Sequence, residues 1–232
     1  MGGVAPILFA HRGARIDEPE NTIAAFRRGL ELGATGLETD AWLTADDQVV
    51  LVHDDAVGRG LRRRKVRSST AVELAAFDVP TLAELYTTLG TDYELSVDAK
   101  HAEVVEPMLA IAREHGASSR LWLCTPDAEP LYALRDRTDA KLVHSTHKGS
   151  VEQLERHARN MQVGGIDAIN LHRSEWKSGL VALFHRFDVL TFAWDAQEVR
   201  HLNALFDMRV DAVYCDRPER MVEAWAERAT TA

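Results

Sequence analysis

Residues 36–53, GLETDAWLTADDQVVLVH, decide how this chain is built. They hold two strand-forming runs, GLETDAWL and QVVLVH, joined only by the TADD of residues 44–47. Parallel neighbours need a crossover of roughly a dozen residues or more, so this pair predicts an antiparallel hairpin. Working outward, PILFAH, YELSVDAK, RLWLCT, KLVHST, DAINLH, VLTFAW and DAVYCD also read as strands. Amphipathic segments at 22–32, 81–89, 104–115 and 198–206 lie between them.

With the returning arm set aside, eight parallel strands remain. The expected fold class is α/β: a (β/α)8 TIM barrel with a short hairpin and a basic loop inserted after the second strand, in one domain spanning 1–232. An open doubly wound sheet is the competing architecture. The barrel is favoured because polar residues recur where strands end: His11, Glu38, Asp40, Asp98, Lys100, Thr125, His144, His172, Trp194 and Asp216. In a barrel those ends converge on one mouth.

A chain of 232 residues, 46% hydrophobic, can bury one sizeable core. Its 27 Lys and Arg stand against 36 Asp and Glu, a net charge of -9 that repels nucleic acid and anionic surfaces over most of the molecule. Neither a nucleic-acid partner nor stable membrane insertion is expected, and any anion must be met locally. Oligomeric state is left open. Cys124 and Cys215 lie in apolar runs and read as buried free thiols, which points to a reducing compartment and a cytoplasmic protein. The N-terminus has no basic signal-peptide region, and Pro6 spoils a myristoylation pattern after Gly2. One compositional anomaly stands out, GRGLRRRKVRSS at 58–69, which reads either as a solvated loop or as a substrate-facing lid.

Glu38 and Asp40 are two apart on a strand and therefore share a face. Side by side in an interior they raise each other's pKa unless a cation or strong donors compensate, and a divalent ion such as Ca²⁺ or Mg²⁺ suits oxygen ligands. Asp98 and Lys100 repeat the pattern, and Asp98 is the candidate third ligand; alone, the two read as a self-satisfied ion pair. His11 and His53 end the first strand and the hairpin arm and can exchange protons near neutral pH. Arg12 offers a fork for phosphate oxygens. Glu20 can pair with Arg12 or support the metal, and Asn21 reads as a helix N-cap. A divalent cation, an anionic group and two proton carriers together are what phosphodiester cleavage needs.

The chain resembles the glycerophosphodiester phosphodiesterases of the (β/α)8 class. The resemblance rests on His11-Arg12-Gly13, Pro19-Glu20-Asn21-Thr22 before Ala25-Phe26, Glu38-x-Asp40, Thr44 with Asp46, and His53-Asp54. Weaker echoes are Pro80-Thr81-Leu82, Asp98-x-Lys100, Trp194 and Asp216-Arg217-Pro218. It implies hydrolysis of small glycerophosphodiesters to glycerol 3-phosphate and an alcohol with one divalent cation, Ca²⁺ or Mg²⁺. It also implies His11 and His53 as acid and base, Glu38, Asp40 and Asp98 as metal ligands, and Arg12 and Lys100 as phosphate contacts. Glu20, Asn21 and Trp194 would support them.

Two positions depart from the family's pattern. Asp98 stands where a longer Glu is usual, and Asp195 in WDAQ brings a negative charge to a strand end that usually continues into Thr and Asn. Alternative readings are a lysophospholipase D-like lipid phosphodiesterase and a barrel that binds a phospho-ligand without turnover.

Overall fold

The computed structural model describes residues 5–147 and 151–229. Gly2 of the N-terminal reading lies outside the described residues. The strands are β1 (Ile7–His11), β2 (Gly36–Leu43), β3 (Val49–Leu51), β4 (Ala56–Val57), β5 (Arg64–Lys65) and β6 (Glu94–Ala99). They continue as β7 (Leu121–Thr125), β8 (Lys141–Ser145), β9 (Ala168–His172), β10 (Leu190–Trp194) and β11 (Ala212–Cys215). The helices are α1 (Ile23–Glu31), α2 (Ala71–Ala75), α3 (Leu82–Leu89), α4 (Val105–Glu114) and α5 (Glu129–Tyr132). After these come α6 (Val151–Val163), α7 (Ser178–His185), α8 (Val199–Met208) and α9 (Pro218–Ala229).

The sheet runs β1-β11-β10-β9-β8-β7-β6-β2, and β2 pairs back onto β1, closing an eight-stranded parallel barrel. Short parallel strands buried on both faces require helices outside, and the alternating order supplies them. β3 folds back antiparallel on β2, with Ala41 opposite Leu51 and Leu43 opposite Val49. Thr44 and Asp46 build that turn: the Thr44 hydroxyl donates to Asp46 at 2.6 Å and accepts from the Gln48 N–H at 2.9 Å. These motif residues therefore serve the turn rather than the mouth.

Side chains alternate along each strand, so every second residue points inside. Phe9, Trp122, Val143, Ala168, Phe192, Ala212 and Tyr214 fill the barrel, with Phe9 stacked on Tyr214 at 4.8 Å between ring centroids. This apolar plug closes the barrel floor. The outward-facing set, including Leu37, Leu95, Leu123, Leu142, Ile169 and Val213, packs under the helices.

The same alternation corrects two expectations for the mouth. Val143 faces inward, so His144 faces outward, where its Nδ1 bonds His157 of α6 at 2.9 Å and its Nε2 bonds the Pro126 carbonyl at 3.0 Å. Cys124 is interior, so Thr125 turns out and donates to the Asp127 carbonyl. Ser145, one residue beyond His144, takes the place in the mouth.

Candidate active site

β1 ends in His11, and the chain then turns through Arg12 and Gly13 at φ +55° and +78°. At Gly13 a Cβ would stand 2.6 Å from the Ala25 backbone, so α1 can lie this close only over a glycine. The turn aims the Arg12 N–H at Glu38 Oε2, 2.9 Å away.

Strand register assembles the cluster. Parallel pairing sets His11 beside Glu38, and the β2–β6 pairing sets Asp40 beside Asp98. Glu38, Asp40 and Asp98 each offer an oxygen within 4.8 Å of the others. Glu38 and Asp40 are buried.

Burial drives the Glu38 carboxyl up to about 8, with the charges of Asp40 and Asp98 adding to it and His11 opposing. Burial likewise lifts Asp98 to about 6, again with Asp40 adding. Three carboxylates crowded within 4.8 Å of one another at the cavity floor fit a hard divalent cation, which would offset their mutual repulsion.

The cations of the site are already partly engaged. Lys100 Nζ lies 2.6 Å from Asp40 Oδ1. Arg12 bonds Glu20 at 2.9 Å, and its buried Nε sits 3.7 Å from Asp40 without a hydrogen bond. Arg15 grips the other Glu20 oxygen at 2.6 Å. Glu20 therefore braces two arginines and stands apart from the carboxylate cluster.

Asn21 differs from its reading as a helix cap. Thr22 caps α1, accepting from the Ala25 N–H. Asn21 takes a left-handed φ of +57°, donates to Asp40 at 3.3 Å and accepts from the Thr39 hydroxyl at 2.7 Å. It holds Asp40 in place.

Both histidines are oriented by an aspartate. His11 Nδ1 meets Asp216 at 2.6 Å, and its Nε2 lies 3.7 Å from Glu38. Burial lowers the His11 pKa, but the Glu38 charge and the Asp216 hydrogen bond outweigh it, so the imidazole ends above its ordinary value. His53 Nδ1 meets Asp54 at 2.8 Å in a more open setting. Its segment is fastened by Val52 N–H to the Asp40 carbonyl and by the Trp42 indole N–H to the His53 carbonyl. With Nδ1 so engaged, Nε2 is the remaining nitrogen of each ring, and that of His11 faces Glu38.

All these groups line one cavity of about 380 Å³: His11, Arg12, Glu38, Asp40, His53, Asp98 and Lys100, with Trp194 on the far wall. Trp194 meets His172 edge-on at 4.6 Å. Asp195 does not line the cavity; it pairs with His172 at 3.1 Å and lies 3.4 Å from Arg173. Ser145, Asn170 and Tyr214 also line the wall, and the period-two alternation of β8, β9 and β11 was the signal that could have found them. The orienting role of Asp216 depends on β11 closing beside β1 and had no local signal.

The closed parallel barrel thus gathers three carboxylates, two histidines and basic side chains at its strand ends. The chain is a member of the glycerophosphoryl diester phosphodiesterase family, whose sequence profile matches residues 11–220. A glycerophosphodiester phosphodiesterase of Caldanaerobacter subterraneus subsp. tengcongensis is 27% identical over 93% of this chain and 96% of its own length. Its counterpart from Thermotoga maritima superposes with a TM-score of 0.80 at 21% identity, covering 96% of this chain and 99% of that one. An Oleispira antarctica phosphodiesterase in complex with sn-glycerol-3-phosphate superposes at 0.78 with 19% identity, over 95% and 96% of the two chains.

Proposed function

We infer that the protein hydrolyses glycerophosphodiesters to glycerol 3-phosphate and an alcohol, using one divalent cation, Ca²⁺ or Mg²⁺, and that residues 1–232 act as one domain. The observation that carries this reading is the register that sets His11 beside Glu38 and Asp40 beside Asp98 on the cavity that His53 also lines. Glycerol 3-phosphate bound to a similar barrel supports the substrate class. Two buried, unbridged cysteines support a cytoplasmic setting, and no helix among the described residues is long and apolar enough to cross a membrane.

Glu38, Asp40 and Asp98 would hold the cation, which supplies Lewis-acid stabilisation of charge on the non-bridging phosphoryl oxygens. Arg12 adds its guanidinium to the same oxygens. Lys100 reaches them only by loosening its contact with Asp40. One histidine takes the proton from the attacking water while the other returns a proton to the departing alkoxide; if the substrate's own glycerol 2-hydroxyl attacks first, a cyclic phosphate forms, and water then opens it to glycerol 3-phosphate with the two histidines exchanging roles. Asp216 and Asp54 hold Nδ1–H on each ring so that Nε2 carries the exchange.

The test is release of glycerol 3-phosphate from glycerophosphocholine, glycerophosphoethanolamine and glycerophosphoglycerol, with Ca²⁺ or Mg²⁺ and after chelation. Cation-dependent release is expected. Failure of the cation-loaded protein on all three, or full turnover after exhaustive chelation, overturns the reading.

A further inference from the structure

We propose that the hairpin of β4 and β5 docks the protein onto the surface of an anionic phospholipid bilayer, with Leu61 as its apolar tip. Between residues 56 and 67 the chain carries Arg59, Arg62, Arg63, Arg64, Lys65 and Arg67 and no carboxylate, on a protein of net charge -9. The local field is therefore opposite in sign to that of the whole molecule, and it attracts anions at this one place.

The charges are available. Arg63 and Arg67 lie 3.7 Å from Asp55 and Glu103, but all four groups are more than half exposed, and such pairs are weak. Arg59, Arg62, Arg64 and Lys65 have no carboxylate partner among the described residues. Leu61, in the tight turn Gly60–Arg62 at the tip, is completely exposed.

A fixed scaffold holds that leucine out. Ala56 pairs with Lys65 and Val57 with Arg64. Val66 is fully buried with Val50, Leu74 and Val79, and its N–H bonds the Asp55 carbonyl at 2.9 Å. Gly58, at φ +74°, leaves no room for a side chain, since a Cβ would stand 2.7 Å from the Phe77 ring.

The hairpin also stands beside the mouth. The cleft at its base is lined by Val57 and Gly58 together with His53, and His53 lines the central cavity. Docking would thus bring the mouth close to the lipid surface.

A cationic ring around an exposed leucine matches a bilayer, whose anionic headgroups take the charges and whose acyl boundary takes the apolar tip. Nucleic acid is a poorer match, because the hairpin has no aromatic side chain on which a base could stack. Each basic residue close to an anionic membrane contributes a factor of about five in affinity, and salt screens it.

The test is sedimentation of the intact chain with vesicles of phosphatidylcholine alone and of phosphatidylcholine with phosphatidylglycerol. Binding to the anionic vesicles is expected to be at least tenfold stronger and to be lost in high salt. The triple variant Arg62→Gln, Arg63→Gln, Arg64→Gln should lose at least tenfold, and Leu61→Ser severalfold at unchanged charge, both with an unchanged Tm. Leu61→Cys carrying a polarity-sensitive dye should shift to the blue on anionic vesicles only, since Cys124 and Cys215 are buried. Equal binding to both vesicle types, an unaffected triple variant or an unshifted dye overturns the proposal. So does tighter binding to duplex DNA that ignores Leu61→Ser. Vesicle binding is read without turnover, so its failure and that of the hydrolase reading are separate results.

Discussion

Two charged regions flank His53, and they obey opposite rules. On one side Glu38, Asp40 and Asp98 crowd like charges into the barrel end, where burial pushes Glu38 up to about 8 and Asp98 up to about 6. On the other side the arginines of the β4–β5 hairpin crowd like charges in open solvent. Water screens the second cluster fully, whereas the first is largely buried and screened much less. The acidic cluster is therefore a strong, short-range demand for a cation; the basic one is a weak field that salt can erase.

The largest expected effect removes the acidic side of this contrast. Glu38→Ala and Asp40→Ala should each lower kcat/KM by at least a thousandfold with the fold intact by circular dichroism, and cation binding by calorimetry should fall with activity. Asp98→Glu should keep activity and change the preferred ion, because it lengthens one ligand by a methylene.

Next come the proton carriers. Activity should be bell-shaped in pH, and His11→Ala and His53→Ala should each cost on the order of a hundredfold or more in kcat/KM. A diester with a good leaving group should partly rescue loss of the acid but not loss of the base, which assigns the roles. Two substitutions that leave a natural diester's kcat near wild type would sink the mechanism.

A third prediction concerns stability without a cation. Glu38 has a folded pKa of about 8 against an ordinary value of 4.5, so the native state holds its proton longer than the unfolded chain. Stability from this group is complete below pH 4.5 and is lost as pH rises through 8; the raised pKa of His11 acts in the same direction. His144 and His157, held below their ordinary value of 6.5 by burial, act oppositely but only up to that value. From pH 6.5 to 8 the chelated protein should therefore lose about 2 kcal/mol, or about 5 °C in Tm. Saturating Ca²⁺ or Mg²⁺ should flatten most of the slope in a thermal-melt series, leaving the part due to His185, whose pKa is raised by Asp211 away from the cluster.

The smallest effect tests the basic side. For a small soluble anionic diester, Arg62→Gln, Arg63→Gln, Arg64→Gln should raise KM by about two- to fivefold at low salt and leave kcat within twofold. Steady-state kinetics at low and high salt would separate this from a hairpin that acts only at a lipid surface.

Much of this was legible along the chain. The four-residue link at 44–47 excluded a parallel pair, and alternation put Glu38 and Asp40 on one face, because both are local consequences of backbone geometry. Motif order pointed to the family. Misplacing His144 and Thr125 came from treating a strand end as a place rather than a direction: a one-residue step reverses the side chain. Reading Asn21 as a cap followed composition, where Thr22 has the capping hydroxyl and Asn21 the left-handed turn. By itself the sequence determined the barrel strands, the arm, the charged segments and which residues could do chemistry; the β4–β5 hairpin, read as a basic loop, was not among them. Only the tertiary structure decided that Asp40 sits beside Asp98, that Asp216 orients His11 from the last strand, and that Lys100 is held by Asp40. Those contacts join residues up to 205 apart in the chain. They come from barrel closure and strand register, which are set by packing of the whole core and leave no periodic trace in any short segment.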